Sequence, residues 1–165
     1  MSKYYNYGVM KKNVSLKIKS SQYIENLEPS GEAFRRQLEL EDTVEILTEG
    51  TLYNKDGTTY ITYEESAEAG LEDMRTMLKL SDNSLKIHRY SKNDEDSDMF
   101  LKQGVLNITR YKIPQLASID LEVYTNRLEH NLDEEGYGNI SVDYKIKFDQ
   151  YFSRRNLLEI EVQPS

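Results

Sequence analysis

Hydrophobic and polar positions alternate with a period of two along most of this chain. The clearest run sets Ile140, Val142, Tyr144, Ile146 and Phe148 on one face and Ser141, Asp143, Lys145 and Lys147 on the other. That is the signature of a half-buried strand, one face on a core and one in water. The same period recurs in Val14-Leu16-Ile18, Val44-Ile46, Ile61-Tyr63, Met74-Thr76-Leu78-Leu80, Leu85-Ile87, Leu106-Ile108, Ile119-Leu121-Val123 and Leu158-Ile160-Val162. Roughly nine strands joined by short polar breaks predict an all-β, antiparallel, mostly up-and-down sheet.

The breaks carry turn chemistry. Asp56-Gly57 between two strands is a strong hairpin signal. Ser81-Asp82-Asn83-Ser84 joins the next pair, and residues 91–98 form a longer charged loop. Residues 25–37 alternate poorly; they hold either a short helix after Pro29-Ser30-Gly31 or an extended hairpin. Strands of about eight residues suit a barrel better than a small sandwich, and closure removes exposed sheet edges. The expectation is one β-barrel domain over residues 1–165, of roughly eight to ten strands, with residues 1–12 as a loosely attached N-terminal arm.

Composition narrows the function classes. Twenty-nine acids against 21 bases give a net charge of −8, which works against phosphate backbones and anionic membranes. Nucleic acid and membrane are therefore excluded as expected partners. There is no cysteine, so disulfides, thiolate catalysis and Cys-based metal sites drop out, and a reducing compartment fits. The first residues lack the apolar region of a signal peptide, and the reading is a cytoplasmic protein. Tyrosine is abundant, 13 residues with no tryptophan, as suits a sheet whose rings pack while their hydroxyls stay wet.

Tests for chemistry mostly fail. His88 and His130 lie in different elements without metal-ligand spacing. The acids Asp94, Asp96 and Asp98 resemble a calcium loop, but Met99 stands at the required glycine and Val105 at the bidentate acid. No metal and no cofactor is expected. Phosphate loops and nucleophile elbows are absent. The segment His130–Gly138 reads as a turn, with Gly136 free to take positive φ. Counting strands places this turn at the same barrel end as Glu65 and Arg89.

One constellation survives. Arg89 continues the apolar face of Leu85-Ile87, and Glu65 continues that of Ile61-Tyr63. With strands alternating in direction, both approach the same end of the inner face. Arg127 joins them if Ile119-Leu121-Val123-Thr125 holds its phase, but Leu128 and Leu132 have opposite parity, which predicts a bulge near Thr125 to Arg127. Arg89 either closes the barrel end by pairing with Glu65 or, with nearby Tyr63 and Tyr144, grips an anionic group through its planar fork.

The segments "EGTLYNKDGTTYITYEE", "SLKIHRY", "LEVYTNRLEHNLDEEGYGNISVDYKI" and "NLLEIEV" resemble the YwiB-like family of bacterial proteins of unknown function, over roughly Val14 to Val162. Two departures stand out: Gln115-Leu116-Ala117 follow Pro114 where the family has tyrosine and glycine, and Tyr90 replaces a glycine. The resemblance implies a calycin, that is, a lipocalin-like barrel with an interior cavity, and brings no activity or catalytic residues. The leading expectation is a non-enzymatic barrel binding a small anionic or amphipathic molecule, with Arg89, Glu65, Tyr63, Tyr144 and Arg127 as the ligand-binding set. The alternatives are an interaction protein contacting partners through a Tyr-rich face or the arm (Tyr4, Tyr5, Tyr7), and an enzyme using Glu65 beside Arg89. The oligomeric state is left open.

Overall fold

The computed structural model describes residues 11–65, 74–92, 96–112, 118–148 and 153–165. Ten strands account for most of them: β1 (Lys12–Ser30), β2 (Ala33–Lys55), β3 (Thr58–Glu64), β4 (Met74–Leu80), β5 (Ser84–Ser91), β6 (Ser97–Lys102), β7 (Leu106–Lys112), β8 (Ser118–His130), β9 (Gly138–Lys147) and β10 (Ser153–Pro164). Each pairs antiparallel with its sequence neighbours except across β6 and β7, and β10 returns to pair with β1. The sheet order is β6-β5-β4-β3-β2-β1-β10-β9-β8-β7.

The two end strands meet without a ladder. Gln103, just past β6, bridges Thr125 in β8; Gly104 N–H donates to the Thr125 carbonyl at 2.8 Å, and Leu128 N–H to the Gln103 side chain at 2.9 Å. The Asn107 amide reaches the Phe100 carbonyl at 3.2 Å. The result is a nearly closed barrel.

Local chemistry sets the turns. Asp56 and Gly57 both take positive φ, 51° and 80°, which is the backbone that a right-twisted two-residue hairpin requires. The bulge expected near Arg127 is present: the register of β8 against β9 shifts between Thr125 and Arg127. Residues 25–37 resolve as the extended hairpin, with Pro29 opposite Phe34 and Ser30 opposite Ala33. Of the expected arm, residues 1–10 lie outside the described residues, and Lys12 already pairs with Leu52 in β1.

Three expectations need correction. Strand β6 is absent from the sequence count; its six residues follow the charged loop and turn only Met99 and Leu101 strongly inward. Omitting one strand reverses the direction assigned to everything after it. The turn after His130 therefore lies at the end opposite Glu65 and Arg89, where His130 Nε2 donates to the Asp82 carbonyl of the β4–β5 turn at 2.9 Å. The β7 pattern is also inverted. Thr109 sits opposite Leu121 and is buried with it, while Leu106 and Ile108 face outward.

The interior divides along the barrel axis. Around the end formed by the Asp56-Gly57, 81–83 and 131–137 turns, Val14, Leu52, Leu80, Leu85, Leu101, Val123, Leu128, Ile140 and Val162 pack into a buried aliphatic plug. The other half is lined more sparsely, and polar side chains enter it. Packing ends where the site begins.

Candidate functional site

Strand register places the site before any side chain is considered. Tyr63 pairs with Thr76, Thr76 with Arg89, and Arg89 with Ser97. These four polar residues therefore form one row across β3, β4, β5 and β6. The next row down, Ile61, Leu78, Ile87 and Met99, is apolar. Glu65 follows β3 by one residue, its N–H donating to the Met74 carbonyl at 2.8 Å, and so overhangs the polar row.

A cavity of about 210 Å³ opens above the plug. Ile18, Val44, Ile46, Leu78, Ile87, Met99 and Leu158 supply apolar walls; Tyr63, Glu65, Arg89, Ser97, Thr109 and Tyr144 supply polar groups. Glu65 and Arg89 line it on the side away from the plug. Phe148, expected on the same inner face as Tyr144, is 45% exposed and is not among the residues lining the cavity.

The electrostatics centre on Glu65 and Arg89. The Glu65 side chain is only 3% exposed, and its Oε1 accepts a hydrogen bond from Thr76 Oγ1 at 2.5 Å. Arg89 Nε lies 3.8 Å from the same oxygen, within charge-pairing range but beyond hydrogen-bonding distance. That Nε is buried and has no hydrogen-bond partner among the described residues. The Arg89 side chain as a whole is one-third exposed and lines the cavity.

Both cavity tyrosines resist ionisation. Burial pushes the Tyr63 phenol far above its ordinary range, helped by the neighbouring Glu65 charge and a hydrogen bond to that carboxylate, and opposed by Arg89. Burial also raises Tyr144, again against the pull of Arg89. Each hydroxyl therefore stays protonated, that of Tyr63 committed to the Glu65 carboxylate.

The structure thus gathers Tyr63, Glu65, Arg89 and Tyr144 around one space and leaves Arg127 out. Past the bulge Arg127 faces solvent and pairs with Glu129 at 3.4 Å. Sequence reading missed Thr76, Ser97 and Thr109. Thr76 carried a signal, a hydroxyl on an otherwise apolar face, whereas Ser97 lay in the uncounted strand. Among the described residues no group of three or more His, Cys, Asp or Glu could hold a metal ion. His88 lies on the outer face between Asp96 and Asp98, and Asp94 lies outside the described residues.

In the turn between His130 and Gly138, Asp133 Oδ1 accepts the N–H groups of Glu135 and Tyr137 at 2.9 and 3.0 Å. It is a turn-former. The Gln115-Leu116-Ala117 departure lies outside the described residues, while Tyr90 sits on β5 with Arg75 over its ring at 4.9 Å.

No curated protein matches the chain. The crystal structure of the ywiB protein from Bacillus subtilis is similar to it, with a TM-score of 0.72 over 99% of both chains at 20% identity, a likeness of fold. A family model described as a domain of unknown function (DUF1934) matches residues 32–160. The chain belongs to the DUF1934 family.

Proposed function

We propose that this protein is a non-enzymatic, lipocalin-like cytoplasmic barrel that binds one small amphipathic molecule, its apolar body in the cavity and an oxyanion against Arg89. The observation that carries this reading is the buried Nε of Arg89, on the wall of a cavity and without a hydrogen-bond partner among the described residues. Leaving a buried donor unsatisfied costs about 1–3 kcal/mol, so such a group is a site where a ligand gains free energy by arriving.

The walls suit the two parts of such a molecule. Aliphatic residues form one side, and the neutral hydroxyl of Tyr144 joins Arg89 on the other. Glu65 keeps its place because Thr76 and Tyr63 hold its carboxylate, so an incoming anion need not release it. At about 210 Å³ the space lies below the usual range of about 300–1,000 Å³ for drug-sized ligands, which points to a smaller one. The absence of cysteine supports the reducing compartment.

Native mass spectrometry of protein purified from its own host tests the reading. The wild type is expected to carry a small-molecule adduct that is lost on denaturation and depleted in Arg89→Met. Bare chain mass in the wild type counts against it, as does an adduct that Arg89→Met retains in full.

A further inference from the structure

Among the described residues one boundary of the barrel is held by no ladder. β6 pairs with β5, and β7 with β8, but β6 and β7 face each other as the two ends of the sheet. The one hydrogen bond from β7 to β6 among the described residues is that of the Asn107 amide to the Phe100 carbonyl. Parity explains the missing ladder. Val105 N–H donates to the Lys102 carbonyl at 3.0 Å, and continuing that turn's register would set Met99 against Ile108 and Asp98 against Thr109. Residues opposite each other in a ladder share a face. Here Met99 packs on the core while Ile108 is exposed, and Thr109 is buried while Asp98 is exposed. The register set by the turn therefore cannot extend along the strands.

This seam separates two spaces. On its outer side a cleft of about 360 Å³ runs past Phe100, Asn107, Ile108 and Arg110; on its inner side lies the cavity. Ser97, Asp98 and Thr109 line both, so little more than these residues stands between them. Ser97 is also the register partner of Arg89, which places the cation one strand from the seam. The charges at the mouth are already engaged. Asp98 touches His88 Nδ1 and lies 3.8 Å from Lys86, Asp96 lies 3.4 Å from His88 Nε2, and Arg110 lies 3.3 Å from Asp120. What flanks the mouth otherwise is apolar, the exposed side chains of Phe100 and Ile108.

Given the binding proposed at Arg89, we infer that the β6–β7 seam is the doorway through which the ligand enters and leaves the cavity. Parting any laddered pair of strands breaks a row of backbone hydrogen bonds. Parting β6 from β7 breaks the Asn107–Phe100 bond and leaves the ladders on both sides whole. The base of the seam is pinned, because Gln103 bridges Thr125, Gly104 N–H donates to the Thr125 carbonyl and Leu128 N–H donates to the Gln103 side chain. The strands therefore part away from the plug, beside the cavity. An amphipathic molecule passing tail first between Phe100 and Ile108 meets the aliphatic wall, and its oxyanion comes to rest at Arg89, one strand from the mouth.

Exchange of isotope-labelled octanoate, followed by NMR on the full chain, tests the route. The chain has no cysteine, so a short bismaleimide can close one boundary at a time. Linking Phe100→Cys to Ile108→Cys across the seam is expected to slow exchange by about tenfold or more against the same variant unlinked, with affinity nearly unchanged. Linking Lys79→Cys to Lys86→Cys, opposite each other on the laddered β4–β5 boundary, should leave exchange as it was. Asn107→Ala needs no cross-link and should speed exchange with little change in affinity. Unaltered exchange in the linked seam variant, equal slowing by both links, or wild-type exchange in Asn107→Ala overturns the doorway and leaves cavity binding standing. Octanoate that never binds the wild type overturns the binding and the doorway together.

Discussion

Arg89 and Glu65 form an ion pair that is incomplete: at 3.8 Å the charges attract, while the buried Nε of Arg89 donates to nothing described. Structural pairing alone would favour a hydrogen bond here. The arrangement instead holds a cation beside a cavity with hydrogen-bonding capacity to spare.

Variants of the pair separate its structural from its binding role. Arg89→Met leaves the nearly buried Glu65 carboxylate without its cation, a loss of about 1–3 kcal/mol after discounting for the partial exposure of Arg89. Adding Glu65→Gln removes the stranded charge and should restore most of that stability without restoring ligand binding. Urea denaturation with a parallel binding assay checks both. If the double variant recovers binding as well, Arg89 is a barrel closure and no more.

Burial of Tyr63 and Tyr144 raises their ionisation above the unfolded value of about 10. The stability they contribute is full below that pH and is lost as pH rises towards their folded range, because the unfolded chain releases these protons first. Spectrophotometric titration should find both phenols silent until alkaline unfolding. Tyr63→Phe and Tyr144→Phe should leave the folded-state titration curve unchanged.

On the outer face Arg155 grips Asp143 in two places, Nε to Oδ1 at 2.9 Å and Nη2 to Oδ2 at 2.6 Å. These hydrogen bonds hold the Asp143 carboxyl below its ordinary range against the opposing effect of burial. Its contribution is therefore present above the unfolded value of about 3.9 and is lost as pH falls through the folded one. Arg155→Met should cost about 1 kcal/mol at neutral pH, with the difference from wild type shrinking in acid.

Two turn glycines should respond differently to alanine. Gly136 has φ +90°, and an added Cβ would lie 2.8 Å from Leu52 Cδ2 in the plug, whereas Gly57, at φ +80°, meets nothing within 4 Å. Gly57→Ala should cost about 1 kcal/mol from backbone strain alone, and Gly136→Ala about 2–4 kcal/mol once overpacking is added. Equal losses in chemical denaturation would contradict the role given to Leu52.

Much of this architecture is legible in the sequence. Alternation in segments such as Ile140–Phe148 exposes half-buried strands, Asp56-Gly57 marks its hairpin, and the parity change at Leu128 announces the bulge at Thr125–Arg127. Glu65 and Arg89 were legible as convergent because each continues an apolar face on strands of like direction. Strand β6 was not, since it is short and begins among charges. The bulge that leaves Glu41 as an extra residue of β2, opposite the step from Gln22 to Tyr23, was hidden because alternation beyond it reads as broken pattern. Thr76 was visible only as one hydroxyl in an apolar row; its bond to Glu65 depends on the β3–β4 register.

Isothermal titration with n-alkanoates of increasing length, beside n-alkylamines of the same lengths, tests the cavity most directly. Each methylene entering the apolar cavity should add about 0.8 kcal/mol, roughly fourfold in affinity, until the space is filled. The increments should then stop, Arg89→Met should lose the carboxylate preference, and the amines should bind weakly throughout. No binding at any length, or affinity that grows without a limit and ignores both the headgroup and Arg89, would contradict the account.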